Sequence, residues 1–464
     1  MNTTKVNEKQ VVVLGAGVCG LYAALTLLRR GYQVTVIEKE SVPGGLAAGH
    51  QRAGNHYDLG VHMLHAFDQE IFDDCAAAMG DERIEVPLDA RIKWAGSHYH
   101  YPLRGRDILR GIPPWTLARC LLGLFFAELR SRIGPRDDQD AEEALISLYG
   151  VPLYEFFFED FTHRYWEIHP RELSAEFIRS KMPRLSAVDV VKNLLQKLRL
   201  SRSRPSVEGA LRFETLHYSA SGAETLPRCL AGEVERLGGT LHLQAEVSEL
   251  HLRKDMVEAV AWLDADGVRH ELACSHCLST LPLPTLLRAI GAGVPADVSQ
   301  SVARLRYKPI AIYGLLVKKR RCMEALYTYY RDCVFHRVGE PANAGLRVTP
   351  DGHTVLIVET TCEMGDAKWS GEEGFYQQVL EDLAAEELCQ PDEVVECHLL
   401  RSPYGYPVFT KGFESNLQLV QEYLEQFSNL RSCGRQGGFT YPNMHRAMRM
   451  GADSALDLIA CPSS

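Results

Sequence analysis

The sequence has no excess of positive charge and no apolar run long enough to cross a membrane. Its 464 residues carry 50 basic and 60 acidic side chains, a formal net charge of −10, which argues against a chain built around a nucleic-acid backbone. The longest apolar run, WTLARCLLGLFFAEL from Trp115 to Leu129, is interrupted by Arg119 and is shorter than the roughly 20 residues that span a bilayer. We therefore expect no transmembrane segment, and the run predicts a buried helix rather than a membrane contact.

Signs of secretion and of a bound metal are also missing. The first residues, MNTTKVNEKQ, are polar and lead into a strand-like run, so no signal segment is expected. The 13 cysteines are an odd number, and the close pair Cys274 and Cys277 has no second CxxC to complete a zinc site. We predict a cytoplasmic protein with free thiols and no metal. The hydrophobic share of 46% is that of an ordinary globular protein.

The first forty residues have the pattern of a strand, a tight turn, a helix and a second strand. The strands are QVVVLG and YQVTVIE, and the helix is LYAALTLLRRG. Between the first strand and the helix, Gly15, Gly17 and Gly20 form GxGxxG. The first glycine of this motif permits the turn, the second lets the backbone approach a pyrophosphate, and the third lets helix and strand pack closely. Glu38 ends the second strand, where an acid accepts hydrogen bonds from a ribose. The pattern predicts a bound dinucleotide.

The segment after Glu38 resembles the FAD-binding fold of the amine oxidase, protoporphyrinogen oxidase and phytoene desaturase group. In that group two adjacent glycines, here Gly44 and Gly45, let the chain pass close to the cofactor. The resemblance continues through YSASGAETL, QAEVSEL and LSTLPL and covers nearly the whole chain; the matching residues are Tyr218, Gly222, Leu226 and Val247. It implies FAD as the cofactor, with Val247 at the adenine end.

Three further segments resemble UDP-galactopyranose mutases. The matching residues are Gly60, His62 and His65 in NHYDLGVHMLHAF, Thr162 and Trp166 in THRYW, and Gly434, Arg435, Phe439, Tyr441 and Met444 in GRQGGFTYPNMHRAM. Tyr406 and Pro407 resemble a segment found in both mutases and oxidases. Val61, Ala66 and His445 depart from the mutase pattern, and His445 replaces an aspartate. These departures count against true mutase activity.

The resemblance implies a role for each matched residue. Gly60 and His62 would lie against the isoalloxazine ring, where His62 either tunes chemistry at flavin N5, binds substrate or only packs against the cofactor. Arg435 would lie beside the flavin and balance negative charge on the reduced ring or on a phosphate. Met444 would begin a helix whose N–H groups face the pyrimidine edge. The other candidate catalytic residues are Trp166, for which core packing is the alternative, Tyr406 and Tyr441.

Three other residues are weaker candidates. Arg184 lies near the position of a phosphate-binding arginine of the mutases, two residues out of register. Lys308 either holds a water near the flavin or is a solvated lysine where its strand begins. FAD is predicted to be non-covalent, and Cys433 is the cysteine nearest the flavin end.

We predict an α/β fold: a glutathione-reductase-type, Rossmann-like FAD-binding domain with an interleaved α+β substrate domain. Residues 1–85, 208–284 and 400–464 would form the FAD-binding domain. A helical segment, 86–207, and a sheet-containing segment, 285–399, would form the substrate domain, with an exposed linker at Ser201–Gly209.

The predicted function is an FAD-dependent oxidoreductase that transfers a hydride from a small-molecule substrate to flavin N5. The alternative is a mutase-like flavoenzyme that rearranges a nucleotide sugar with reduced FAD and no net redox change. A non-catalytic flavin-binding protein is a third possibility. Substrate, electron acceptor and oligomeric state are left open.

Overall fold

The computed structural model describes residues 9–94, 96–101, 107, 111–132, 134, 138–181 and 215–460. The predicted linker at Ser201–Gly209 and Arg184 lie outside these residues. The strands are β1 Gln10–Leu14, β2 Gln33–Ile37, β3 Gly49–Arg52, β4 Asn55–Asp58, β5 Leu64–His65, β6 Arg83–Pro87, β7 Ala90–Trp94, β8 Ser97–Tyr101, β9 Thr215–Ser219, β10 Thr240–His242, β11 Glu246–Arg253, β12 Met256–Leu263, β13 Arg269–Ala273, β14 His276–Ser279, β15 Arg306–Val317, β16 Tyr327–Tyr330, β17 Arg337–Gly339, β18 Thr354–Thr361, β19 Val394–Val408 and β20 Leu430–Ser432.

The α-helices are α1 Val18–Leu28, α2 Gln69–Met79, α3 Pro114–Ser131, α4 Ala141–Tyr149, α5 Val151–Leu153, α6 Glu159–Trp166, α7 Ala175–Lys181, α8 Thr225–Arg236, α9 Leu283–Ile290, α10 Ala296–Arg304, α11 Ala367–Ser370, α12 Glu373–Ala385, α13 Phe413–Glu425, α14 Gly434–Gly437 and α15 Met444–Ala460. A π-helical turn covers Tyr154–Phe158.

A five-stranded parallel sheet holds the glycine-rich turn. Its strand order is β10-β2-β1-β14-β20, and all four pairings are parallel. The β-branched residues of β1 and β2 are buried on both faces of the sheet, as expected for parallel strands covered by other elements. Helix α1 is almost entirely buried and packs between α8 and α15. This arrangement confirms the predicted Rossmann-like fold.

A second, seven-stranded sheet lies in the other part of the molecule. Its order is β19-β15-β18-β17-β16-β7-β8, and β15 and β18 are apolar and buried along almost their whole length. Three of the four predicted domain boundaries fall inside elements of the structure: 85/86 in β6, 284/285 in α9 and 399/400 in β19. The fourth, 207/208, lies outside the described residues. The division of the chain into the predicted domains therefore stays a proposal, and β19 as a whole pairs with β15.

The pairing of strand β19 with β15 is irregular at two places, and one of them positions a candidate catalytic residue. Lys308 of β15 pairs with Tyr406, whereas Ile310 pairs with Ser402, so three residues of β19 oppose one of β15. Pro403 lies in this bulge, where its missing N–H costs no hydrogen bond between the strands. A Cβ on Gly405 would lie 2.6 Å from Ile310 Cγ2, so only glycine fits there. The bulge brings Tyr406 to the buried side of the sheet.

The prediction that the run from Trp115 to Leu129 is a buried helix is wrong for one of its faces. The run forms α3, and Cys120, Leu124 and Ala127 are buried. Trp115, on the opposite face, is 76% exposed. Among the described helices, none combines the length and apolar character needed to cross a membrane.

Candidate functional site

The glycine-rich turn between β1 and α1 contains two positions where the fold itself leaves no room for a side chain. Gly15 has φ +99°, and a Cβ there would lie 2.5 Å from Thr280 Oγ1. A Cβ on Gly20 would collide with the carbonyl oxygen of Gly15. These two positions serve the turn and the close packing of α1 on the sheet.

Gly17 differs, because the protein has room for a side chain there. Its backbone is extended at φ −65° and ψ 166°, which any residue adopts. The nearest atom to a Cβ would be the Gly44 carbonyl oxygen at 4.0 Å. Gly17 is also the N-cap of α1, whose first turn contains no acidic residue. The open space beside free helix N–H groups is what a bound pyrophosphate needs.

The second pair of glycines lies alongside this turn. The N–H of Gly44 donates to the Ala16 carbonyl oxygen at 2.8 Å, and Gly44 pairs with Gly17 as an isolated parallel bridge. Gly44 and Gly45 both have positive φ, +127° and +58°. A Cβ on Gly45 would lie 3.4 Å from Gly17 Cα. The two turns together form a cradle of bare backbone that fits a dinucleotide.

Glu38 is buried at the end of β2 and fixes the ribose end of the cradle. Its Oε2 accepts a hydrogen bond from the Ala16 N–H at 2.8 Å, and its Oε1 accepts one from the Glu40 N–H at 3.0 Å. Burial raises the pKa of Glu38, while the two N–H groups act in the opposite direction. The Glu38 carbonyl accepts from Ala245, two residues before the half-buried Val247. Val247 therefore lies close to Glu38 in the structure, and its role at the adenine end stays a prediction.

The sequence analysis missed Asp58, which joins β4 to the segment YSASGAETL. Asp58 Oδ2 accepts a hydrogen bond from the Tyr218 hydroxyl, and Oδ1 accepts one from the Ala223 N–H at 2.9 Å. A Cβ on Gly222 would lie 2.8 Å from Oδ1. Burial raises the pKa of Asp58 to about 6. The aromatic–glycine pattern of this segment therefore serves to hold a buried carboxyl behind the cradle.

Beyond the cradle, Gly60 and His62 lie against a buried charge cluster. Gly60 has φ +96°, and a Cβ there would lie 3.0 Å from Glu359 Oε2. His62 Nδ1 is buried and makes no hydrogen bond with any described residue. Burial, together with the charges of Arg435 and Arg337, lowers the pKa of His62 to about 4. His62 is therefore a neutral ring with an unused polar atom.

The centre of this cluster is Glu359, which the sequence analysis did not single out. Its Oε1 accepts from the Tyr406 hydroxyl at 2.6 Å and is 2.9 Å from His336 Nε2. Its Oε2 accepts from the Arg337 guanidinium. Glu359 is 1% exposed, and although burial opposes ionisation, Arg337 and His336 hold its pKa well below the usual range. The available signal was a single acid within the apolar strand TVLIVETT.

Arg435 lies between two of the tyrosines that the sequence assigned to the same site. Its guanidinium carbon is 5.0 Å from the centre of the Tyr406 ring and 4.3 Å from that of Tyr441. Its Nε is buried and has no hydrogen-bond partner among the described residues. A planar cation held by aromatic faces with an unused donor suits an acceptor atom that is not part of the protein.

Trp166 is placed differently from the other candidates. It is buried, and its ring centre is 6.2 Å from that of Tyr406 and 5.9 Å from that of Phe177. The preceding residue, Tyr165, lies nearer the cluster, with ring centres 4.8 Å from His336 and 5.5 Å from Tyr406. The geometry favours the packing role of Trp166 and makes Tyr165 the aromatic neighbour of the charge cluster.

With this geometry in view, comparison with known proteins decides the family. The profile of the family described as flavin-containing amine oxidoreductase matches residues 18–399. The chain belongs to this family.

Its relatives and structural neighbours agree with the resemblance seen in the sequence. The chain is 24% identical over 302 residues to a neurosporene-forming phytoene desaturase of Cereibacter sphaeroides, an alignment of 58% of this chain and 52% of the relative. It is 27% identical over 315 residues to a phytoene dehydrogenase of Streptomyces griseus, covering 63% and 58%. The chain thus spans somewhat more than half the length of these relatives. The structure of a reduced UDP-galactopyranose mutase superposes with a TM-score of 0.79 at 20% identity, covering 98% of this chain and 96% of that one.

Membership of this family of flavin-containing oxidoreductases confirms the predicted family and FAD as the predicted cofactor. The cradle fits this cofactor: the open space beside Gly17 would take the pyrophosphate, and Glu38 would face the ribose. Met444 is the first residue of α15. His445 is buried next to it, with its ring centre 5.8 Å from that of His65.

Two of the weaker candidates in this flavin-containing amine oxidoreductase have protein partners. Cys433 is buried with its sulfur 3.8 Å from Cys19 Sγ. Lys308 is 1% exposed, so its interpretation as a solvated lysine is wrong. Its ammonium donates to Glu167 and, at 2.7 Å, to Glu363, which uses two of its three N–H donors. Among the described residues no cluster of histidine, cysteine and acidic side chains could hold a metal ion.

Proposed function

We propose that this flavoprotein oxidises a small-molecule substrate by hydride transfer to flavin N5 in the space between His62, Arg435 and Tyr406. When bound, FAD supplies a two-electron acceptor at N5. The observation that carries the proposal is the pair of buried polar atoms, His62 Nδ1 and Arg435 Nε, that have no partner among the described residues. Buried polar atoms are normally hydrogen-bonded, so these two await a cofactor or substrate.

The surrounding residues line this space with polar groups that hydrogen bonds hold in place. Glu359 holds Tyr406 and Arg337 in place through hydrogen bonds. Its negative charge neutralises Arg337, so Arg435 is left as the cation that would balance negative charge arriving with the hydride. The neutral His62 ring donates or accepts one hydrogen bond without adding charge. Such fixed dipoles in a site that excludes water are the protein's share of flavin catalysis.

The nature of the relatives supports oxidation over rearrangement. The two relatives aligned over more than half of this chain are a phytoene desaturase and a phytoene dehydrogenase, whereas the similarity to the mutase is one of fold. The departures at Val61, Ala66 and His445 point the same way. We therefore place this chain with the enzymes that remove hydrogen from their substrates.

The deciding experiment is anaerobic incubation of the yellow protein with a panel of amines, alcohols and unsaturated ring compounds. A substrate should remove the visible absorbance of oxidised flavin and yield one oxidised product per flavin. UDP-sugars, including UDP-galactofuranose, form the second arm, with and without dithionite. Rearrangement of a UDP-sugar only after dithionite reduction, with no net redox change, would overturn the proposal.

Arg435→Ala tests the site within the same assay. The variant should retain FAD and lose about 10²–10³-fold in kcat, the usual effect of removing one preorganised charge or donor. Arg446→Ala is the matched control, because Arg446 is exposed on the first turns of α15 and carries the same charge. Equal activity of both variants and the wild type would remove Arg435 from the site.

A further inference from the structure

Helix α3 presents a row of large apolar side chains that no described residue covers. Leu122 is 58% exposed, Phe126 56%, and Phe125 and Leu129 each 48%, in addition to Trp115. Single exposed apolar residues are common, but a contiguous exposed patch marks an interaction site.

The exposed residues are aligned by the helix period. At 3.6 residues per turn, Trp115, Leu122, Phe126 and Leu129 fall within an arc of about 60° and Phe125 widens it to about 100°. At a rise of about 1.5 Å per residue, the stripe from Trp115 to Leu129 is about 21 Å long. Because the opposite face is also apolar and buried, α3 is hydrophobic on both sides.

The buried face of α3 packs on the following segment at backbone contact distance. The helix therefore cannot rotate to bury its exposed face. A Cβ on Gly123 would lie 2.7 Å from Pro152 Cδ, and a Cβ on Gly150 would lie 2.5 Å from the Gly123 carbonyl carbon. Both positions need glycine for this close approach. Within the described residues, the apolar stripe is therefore a fixed and uncovered feature.

The charges beside the stripe are opposite to those of the whole chain. Between residues 114 and 132 the basic side chains are Arg119, Arg130 and Arg132, and the acidic one is Glu128. Arg119 and Arg130 are exposed and lie on the edge of the apolar arc. The chain as a whole has a net charge of −10. A partner for this face is thus both apolar and negatively charged.

We propose that α3 docks the enzyme on an anionic lipid bilayer, with the helix axis in the plane of the membrane surface. Its apolar stripe would enter the boundary between headgroups and acyl chains, and Arg119 and Arg130 would contact lipid phosphates. A tryptophan at one end of the stripe suits this boundary. A second copy of the chain is a poorer partner, since it would bring the same arginines together, whereas anionic headgroups neutralise them.

Vesicle flotation with the FAD-loaded protein tests this docking. Vesicles of phosphatidylcholine alone are compared with vesicles that also contain phosphatidylglycerol. The protein should float with the anionic vesicles and bind the neutral ones at least about tenfold more weakly, and added salt should weaken the anionic binding. Failure to float with either vesicle would overturn the proposal.

Two variants separate the contributions of the stripe and of the arginines. Leu122→Glu/Phe126→Glu should reduce binding to anionic vesicles by at least about tenfold, and Arg119→Glu/Arg130→Glu should reduce it toward the level for neutral lipid. The matched control is Val268→Glu/Val395→Glu, because these valines are similarly exposed elsewhere. Flavin absorbance and an unchanged Tm confirm folding in each case. Unaltered flotation of both α3 variants would contradict the proposal. A concentration-dependent dimer that is lost in Leu122→Glu/Phe126→Glu, together with no flotation of the wild type, would also contradict the proposal.

Discussion

Gly17 and Gly20 belong to the same motif, yet the structure predicts opposite effects of replacing them with alanine. At Gly17 the backbone is extended and the nearest atom to a new Cβ is 4.0 Å away. Gly17→Ala should therefore leave the cofactor-free protein folded and stabilise it by about 0.4–1 kcal/mol, because alanine lowers the entropy of the unfolded chain. At Gly20 the new Cβ would collide with the Gly15 carbonyl oxygen, and the turn would have to open.

The effect on the cofactor follows from the same geometry. The space beside Gly17 is empty of protein, so a methyl group there competes with the FAD pyrophosphate. Overpacking a tight contact by one methyl group costs about 1–3 kcal/mol, which corresponds to about 5- to 150-fold in Kd. Gly17→Ala should thus lose most of the flavin during purification, and a larger residue such as valine should lose all of it. Gly20→Ala should lose both FAD and stability, by more than about 3 kcal/mol.

Two measurements check this pair. Thermal melts of both cofactor-free variants measure protein stability, and calorimetric titration with FAD measures the affinity for the cofactor. The reasoning is refuted if Gly17→Ala binds FAD with wild-type affinity, or if it destabilises the cofactor-free protein as much as Gly20→Ala does. Wild-type affinity would mean that the space beside Gly17 is not the phosphate position, and equal destabilisation would mean that the space is not open in the cofactor-free protein.

Two other predictions concern the charge cluster. Glu359→Gln should destabilise the protein by about 3–5 kcal/mol in urea unfolding, since it leaves Arg337 buried without its counter-charge. Glu324→Gln, whose side chain is 76% exposed, should cost less than about 1 kcal/mol, and equal losses would contradict the assignment. The pKa of His62 is about 4 in the folded protein instead of 6.5, so the unfolded chain binds the proton more readily. The contribution of His62 to stability is therefore complete above about pH 6.5 and is lost as the pH falls toward 4. The unfolding free energy of the wild type relative to His62→Gln should therefore fall by up to about 3 kcal/mol over that interval, and parallel pH profiles would show that His62 titrates normally.

The sequence was informative where local pattern and chemistry coincide. The β1–α1–β2 unit could be predicted because strand, glycines, helix and terminal acid occur within thirty residues or so of each other. Arg435, Tyr406 and Tyr441 could be grouped only through a family resemblance, since nothing local connects the β19 bulge with the turn before α15.

The remaining features depend on contacts between distant segments. In the sequence, Glu359 has the position of an ordinary strand residue. Only the structure shows that His336, Arg337 and Tyr406 surround it. Strand β19 was not recognised because Pro403 and Gly405 interrupt its pattern, and its bulge forms only against Ile310. The exposed side of α3 could not be told from its buried side, because both are apolar and only the packing of Gly123 on Pro152 decides between them.

The flavin cradle has a consequence for how the protein is made. Cys19, in the first turn of α1, contacts Cys433 across a separation of 414 positions, and α1 also packs on the far helix α15. Two of the five strands of the parallel sheet, β14 and β20, follow late in the chain. The emerging chain therefore exposes α1 and the edge of β1 during most of its synthesis. Folding dominated by such long-range contacts is slow and aggregation-prone. Supplying flavin late, when the last helix has docked, should therefore raise the yield of native protein more than supplying it early.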